Sequence, residues 1–174
     1  MKLGLVHLYF GEGKGKTSAA VGLAVRCAGA GISVIFAQFL KGRPSSEGIA
    51  LEKLGIKLVR AQASAKFSVE MSAREREKVL SENLYTLNQL EGDIKTGCGL
   101  IVLDEVVSAV GCGLLPLESL MGFIKNRPPG VEIVLTGHGD IPGELLALAD
   151  YQTRFTGLRH PYDSGIPARL GIEF

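Results

Sequence analysis

No tryptophan occurs in this chain, and its 174 residues hold only three cysteines, Cys27, Cys98 and Cys112. The count is odd and the three are scattered without a C-x-x-C pair. That argues against a disulfide scaffold or a zinc site and for buried thiols in a reducing compartment. An excess of charge is also lacking: 19 Lys and Arg face 18 Asp and Glu, a formal charge of +1. Such a chain has no global field to hold nucleic acid or an anionic membrane, so an anion must be held by local geometry. No uncharged apolar run approaches the roughly 18 residues needed to cross a bilayer, and no charged-then-apolar leader precedes residue 3. The expectation is a soluble, cytoplasmic protein. Repeats and low-complexity segments are absent. The length predicts a single domain over residues 1–174, able to bury about two thirds of its unfolded surface.

What is present centres on Gly11-Glu12-Gly13-Lys14-Gly15-Lys16-Thr17-Ser18, set between an apolar run over 3–10 and an alanine-rich run over 19–30. Strand, glycine-rich turn and helix form the context in which Gly-Lys-Thr cradles phosphate, because backbone N–H groups and a helix N-terminus converge on an anion. Lys16 would reach the phosphates and Thr17 would offer its hydroxyl to a magnesium ion. The general G-x-x-x-x-G-K-[ST] spacing asks for glycine five residues before Gly15, where Phe10 stands, so the loop is one residue tighter if Gly11 opens it. A flexible surface turn is the plainer alternative for these glycines.

Around this loop the patterning reads as α/β, a three-layer, mostly parallel sheet flanked by helices. Strands are predicted over 3–10, 32–39, 57–60, 99–105, 131–136 and 151–158, with a last one over 168–174. Helices are predicted over 17–30, 47–54, 117–125 and 142–149. Ser72-Ala73-Arg74-Glu75 matches a capping box and opens the longest helix, with Leu80, Leu84, Leu87 and Ile94 on one face and Arg74 to Lys78 solvated. His7, alone inside a strand, reads as packed and hydrogen-bonded. The segment 61–71, with Phe67 in a polar setting, reads as a lid or binding loop.

Open α/β sheets bind ligands outside the carboxyl ends of their strands, and three such ends carry polar residues. Lys41 and Arg43 follow the second strand and can face an anionic group, although composition fits a solvated loop equally well. Leu103-Asp104-Glu105 ends an apolar strand in two carboxylates. Buried charge is costly unless paired or metal-bound, so these acids are expected beside the phosphate loop, holding magnesium or its waters. His138, between Gly137 and Gly139, is expected to face a ligand.

Together these stretches resemble the ATP:corrinoid adenosyltransferases of cobalamin biosynthesis and salvage, from residue 5 to residue 174. Residues Gly11 to Ser18 match that family's G-x-G-K-G-K-T-[ST] turn, including its shortened spacing. Arg26 matches an arginine of an A-x-R-A segment, Gln38-Phe39-Leu40-Lys41-Gly42 resembles Q-F-I-K-G, and Leu103-Asp104-Glu105 fits V-L-D-E. Gly113 to Leu117, Ala149-Asp150, His160-Pro161-Tyr162, Gly165 to Ala168 and Gly171 to Phe174 resemble the family's later elements. Two positions depart: Thr136-Gly137-His138 stands for T-G-R, and Lys66 to Met71 keeps the phenylalanine of G-F-T-W-E-T, as Phe67, but has Val69 for the tryptophan.

The resemblance implies a P-loop, RecA-like fold and transfer of the 5′-deoxyadenosyl group of ATP to the Co(I) of a corrinoid, with release of triphosphate. It implies ATP at residues 11–18, Arg26 and His138, magnesium at Thr17, Asp104 and Glu105, and catalytic roles for Lys16 and Glu105. The corrinoid is assigned to Phe67 and Lys41. A flavoprotein or other reductant and a homodimer are further implications. Two other classes use the same loop: a kinase or ATPase cutting at the γ-phosphate, and a nucleotide-binding module without catalysis.

Overall fold

Strands apolar on both faces need cover on both faces, and this requirement sets the architecture. The computed structural model describes residues 4–41, 45–61 and 68–173. Six strands, β1 (Val6–Phe10), β2 (Val34–Gln38), β3 (Lys57–Arg60), β4 (Leu100–Asp104), β5 (Glu132–Thr136) and β6 (Tyr151–Arg154), form one sheet in the order β3-β2-β4-β5-β1-β6. Every pairing is parallel. The register sets Gln38 opposite Asp104 and Tyr9 opposite Thr136, so the carboxyl ends of β2, β4, β5 and β1 form one rim.

Alternate residues of each strand serve opposite cores. On one face Val34, Phe36, Leu100, Val102 and Val134 pack with Ala20 and Ala24 of α1 (Lys16–Gly29) and Leu51 of α2 (Ser46–Lys53). The small alanines let α1 lie close to the sheet, bringing its N-terminus to the rim. On the other face Ile35, Ala37, Ile101, Leu103, Ile133 and Leu135 meet α3 (Ala73–Asp93), α4 (Val106–Gly111), α5 (Leu117–Lys125) and α6 (Gly143–Leu148) through Leu87, Leu90, Val106, Phe123 and Leu145. Phe123 is almost wholly buried, so truncation to alanine there would cost about 3–5 kcal/mol. No helix among the described residues is long and apolar enough to cross a membrane.

Where the structure departs from the patterning, local reasons are visible. Helix α3 has the expected capping box, Ser72 Oγ accepting from the Glu75 N–H and the Glu75 carboxylate accepting from the Ser72 N–H. Its buried stripe, however, is Val79, Asn83, Thr86, Leu87 and Leu90, continued by Ile94. Leu80 and Leu84 flank this stripe half-buried. Two polar members disguised it, and one, the fully buried Asn83, donates to the Leu114 carbonyl at 2.8 Å. Arg76 is half-buried rather than solvated, donating to the Ser68 carbonyl at 3.0 Å and to the Cys112 carbonyl. The strand expected over 168–174 is a turn in its described part: Gly171 at φ 75° bends the chain back, and the Ile172 and Glu173 N–H groups donate to the Arg169 carbonyl. Helix α4 directly after β4 was not expected from the pattern, and β6 stops at Arg154 because the next residue turns toward the glycine-rich loop.

Candidate active site

The glycine-rich loop is shaped by its neighbour strand as much as by its own sequence. Gly11 and Gly15 adopt φ of 102° and 113°, the left-handed region that side chains resist. Gly13 has another reason to be glycine: its N–H donates to the Phe155 carbonyl at 2.9 Å, and a Cβ there would lie 2.7 Å from backbone carbons of Phe155 and Thr156. Lys16 Nζ donates to the Gly11 and Gly13 carbonyls at 2.6 and 2.8 Å, arching over the loop. Lys14 reaches the chain's end, donating to Glu173 Oε1 at 2.8 Å. Arg169 and then Lys14 hold the Glu173 carboxyl well below the usual carboxylate range. Glu12 accepts from the Gly139 N–H at 3.0 Å, tying the loop to the end of β5. No acid occupies the first turn of α1, so no side chain of the helix itself offsets the partial positive charge of its N-terminus.

Opposite the loop stands Asp104, wholly buried. Its Oδ1 accepts from Thr17 Oγ1 at 2.9 Å and from Thr136 Oγ1 at 2.7 Å. Its Oδ2 accepts no hydrogen bond of good geometry, yet Lys41 Nζ lies 3.0 Å away as an ion-pair partner. The same ammonium donates to Glu47 Oε1 at 2.7 Å. Burial works against the Lys41 charge, but Asp104 and Glu47 more than compensate and raise its pKa. Behind it the buried Gln38 donates to Glu47 at 3.1 Å and accepts from Arg60 Nε at 3.2 Å. Glu105 accepts from Ser108 Oγ at 2.6 Å, and its N–H donates to Thr136 Oγ1 at 2.9 Å. Thr136 therefore bridges the two acids, and Ser108 Oγ also accepts from the His138 N–H at 3.0 Å.

These groups surround a cavity of about 570 Å³ lined by Thr17, Ser18, Lys41, Glu47, Glu105 and Ile172 among others. A second cavity, of about 600 Å³, lies on the other side of the loop between Gly13, Lys14, Arg159 and His160. A glycine loop with a helix N-terminus, a lysine and a threonine beside the buried Asp104 and the half-buried Glu105 is equipped to hold a polyphosphate and a hard cation.

The model of the family ATP:corrinoid adenosyltransferase BtuR/CobO/CobP matches residues 2–174. The corrinoid adenosyltransferase of Escherichia coli K12 is 30% identical over 173 residues, covering 98% of this chain and 86% of that protein. That of Pseudomonas aeruginosa is 33% identical over 173 residues, with 98% and 84% covered. Corrinoid adenosyltransferase CobA of Salmonella typhimurium is 31% identical over 174 residues, with 98% and 86% covered. The chain belongs to the ATP:corrinoid adenosyltransferase family. Its parallel α/β sheet is this family's P-loop-type fold.

Within this adenosyltransferase the structure gathers Gly11 to Ser18, Asp104, Glu105 and Lys41 at one rim. Lys41, assigned from sequence to the corrinoid, stands on the acid side of the phosphate loop, engaged by Asp104 and Glu47. His138 is exposed just beyond β5, its N–H held by Ser108 Oγ. Arg26 is not brought to the loop: it is exposed in the last turn of α1, ten residues beyond Lys16, or about 15 Å along the axis. Phe67 lies outside the described residues. Sequence reasoning missed Thr136, Ser108, Glu47 and Glu173. Thr136 and Glu47 could have been found as polar residues at a strand end and in the following loop-helix junction. Glu173 lies in the Gly171 to Phe174 stretch that the resemblance covers, but nothing local ties it to a loop 159 residues away.

The donors suit a hard cation. Among the described residues no group of three or more His, Cys, Asp or Glu cages a metal by protein alone. One hydroxyl and two carboxylates are what magnesium uses when substrate phosphates complete its octahedron. The buried Asp104 Oδ2, without a hydrogen bond, is the atom best placed to face it.

Proposed function

We infer that this chain transfers the 5′-deoxyadenosyl group of ATP to the Co(I) centre of a corrinoid, forming adenosylcobalamin or a precursor and releasing triphosphate. The observation that carries this reading is the family match over residues 2–174, joined to a tight glycine loop whose Thr17 donates to the buried Asp104 beside a cavity that Thr17, Lys41 and Glu105 line. Co(I) is itself the nucleophile and attacks C5′ in line, so no side chain need act as general base. The bond that breaks joins C5′ to the α-phosphate oxygen, and its electrons leave with the triphosphate.

The protein's work is therefore positioning and charge. Gly13 to Ser18 hold the triphosphate by backbone N–H groups and the α1 terminus. Lys16 exchanges its two loop carbonyls for phosphate oxygens and offsets the charge growing on the leaving group. Thr17, Asp104 and Glu105 hold magnesium, which when bound adds charge to the same end. Glu105 is kept in place by Ser108, and Asp104 by Thr136. The resemblance assigns Phe67 to the corrin, and His138 takes the place of the family's arginine after β5. The same resemblance extends the reading to a homodimer in the cytoplasm, supplied with electrons by a flavoprotein or another reductant.

The test is to supply ATP and a chemically reduced corrinoid and follow the absorbance change as the cobalt–carbon bond forms, assaying triphosphate in parallel. Absence of change with several corrinoids, or ADP as the product, would overturn the reading. Lys16→Ala is expected to lose most of the activity, since phosphate binding and leaving-group stabilisation fail together. Near-normal turnover would remove Lys16 from this role.

A further inference from the structure

Lys41 stands where a cation is wanted. Its ammonium lies 3.0 Å from Asp104 Oδ2 and 2.7 Å from Glu47 Oε1, inside the cavity that Thr17, Ser18 and Glu105 also line. Asp104 is wholly buried, and its Oδ1 is taken by two threonine hydroxyls, so Lys41 is the cation that faces its other oxygen. The placement is built rather than incidental. Leu40, immediately before it, is held at φ 57°, a left-handed conformation that a leucine adopts only when its surroundings impose it. The Phe39 N–H donates to the Asp104 carbonyl at 2.9 Å, and the Gln38 side chain, fully buried, donates to Glu47. Two strand ends and a strained residue thus converge to aim one ammonium at one carboxylate oxygen.

We propose that Lys41 is the resident cation of the Asp104 site: it fills the divalent ion's place in the nucleotide-free protein and yields it only when metal arrives with nucleotide. A divalent ion and an ammonium cannot share Oδ2 at these distances without strong repulsion, so metal entry requires Lys41 to leave. A bound triphosphate makes that exchange favourable, because it supplies both further ligands for the ion and a new anionic partner for the ammonium within the same cavity. Lys41 is thus a positioning residue that couples metal binding to nucleotide binding. The proposal rests on reading Asp104 as the cation-facing acid of the proposed function, but on nothing about the corrinoid.

The test uses the full chain and Mn²⁺ as probe, with free Mn²⁺ read from its electron paramagnetic resonance signal. Without nucleotide the unmodified protein is expected to bind Mn²⁺ weakly, and Lys41→Met at least tenfold more tightly. Lys41→Arg, which keeps the charge, should behave like the unmodified protein. With ATP present, the unmodified protein should gain Mn²⁺ affinity by more than Lys41→Met does. Lys41→Met should also melt at lower temperature, with much of the loss restored by Mn²⁺, as the uncompensated Asp104 regains a cation. Should Lys41→Met fail to fold, Lys41→Gln, whose amide can still donate to Asp104, carries the same comparison. Equal Mn²⁺ affinity without nucleotide in the unmodified and charge-neutral proteins would overturn the proposal. Because no corrinoid enters these measurements, failure of adenosyl transfer and failure of the Lys41 exchange are separately visible.

Discussion

A single methyl at Gly13 tests whether the phosphate loop is held by the segment leaving β6. A Cβ at Gly13 would lie 2.7 Å from Phe155 C, 2.7 Å from Thr156 C and 2.8 Å from Thr156 N, where ordinary contact begins near 3.4 Å. All three atoms are backbone and cannot rotate aside. Either the overlap is absorbed as overpacking, at about 1–3 kcal/mol, or the segments part and the Gly13–Phe155 hydrogen bond is lost as well, a further ~1 kcal/mol. The two together give about 2–4 kcal/mol, which in a chain of this length lowers the melting temperature by roughly 4–16 °C. Gly22 supplies the control: it is exposed in the middle of α1, and a Cβ there meets nothing within 4 Å. Alanine is favoured at such a site by about 0.5–1 kcal/mol. Thermal melts followed by circular dichroism, with titration of a fluorescent ATP analogue, should therefore show Gly13→Ala destabilised and weak in nucleotide binding, and Gly22→Ala slightly stabilised and normal in binding. A Gly13→Ala protein that melts and binds as the unmodified chain does would refute the idea that this close approach shapes the loop.

The Glu47 carboxyl is buried enough to oppose ionisation, but hydrogen bonds from Lys41 and Ser45 prevail and lower its pKa. Its contribution to stability is consequently present above the unfolded value, about 4.3, and is lost as pH falls through the folded one. Glu47→Gln should flatten the acid limb of the stability–pH curve below about pH 4.3, and an unaltered limb in urea titrations at several pH values would contradict the pairing. Arg76→Met strands the Ser68 and Cys112 carbonyls that Arg76 now serves and should cost about 1–3 kcal/mol in denaturant melts. Arg74→Ala, two residues away and exposed, should stay within about 0.5 kcal/mol, so equal effects at the two arginines would show that Arg76 is as solvated as its neighbours.

The strands and the phosphate loop were legible because their signals are local: apolar runs of strand length, a turn that only glycines can make, and a helix that follows at once. The Ser72–Glu75 box was legible for the same reason. What escaped depended on partners far along the chain. Asn83 is polar yet buried, because the Leu114 carbonyl, 31 residues on, needed a donor. Arg76 sits in a run of five charged residues that reads as solvent-facing, and two carbonyls on other segments draw its guanidinium inward. The closing segment is apolar enough to read as a strand, but β6 is a four-residue edge strand exposed throughout, and Pro167 and Gly171 break the extension a seventh strand would need. Arg26 is the converse case: a motif match fixed its identity while helix rise carried it away from the loop.

The site's least legible feature is its strain. Among the described residues, Leu40 and Glu105 are the two non-glycine positions with positive φ, 57° and 61°. Neither side chain favours the left-handed region, and each costs on the order of 1–2 kcal/mol there. They follow the carboxyl ends of β2 and β4, neighbouring strands whose register sets Gln38 beside Asp104. Each is held by bonds that a relaxed backbone would disturb: the Phe39 N–H to the Asp104 carbonyl at 2.9 Å, and the Glu105 N–H to Thr136 Oγ1 at 2.9 Å. Relaxing Leu40 would swing Lys41 off Asp104, and relaxing Glu105 would swing its carboxylate out of the cavity. The sheet therefore spends stability at one rim to hold an ammonium and a carboxylate on either side of the same buried acid. Strain of this kind persists only where the surrounding packing over-determines it, and here that packing is the fully buried centre of the sheet.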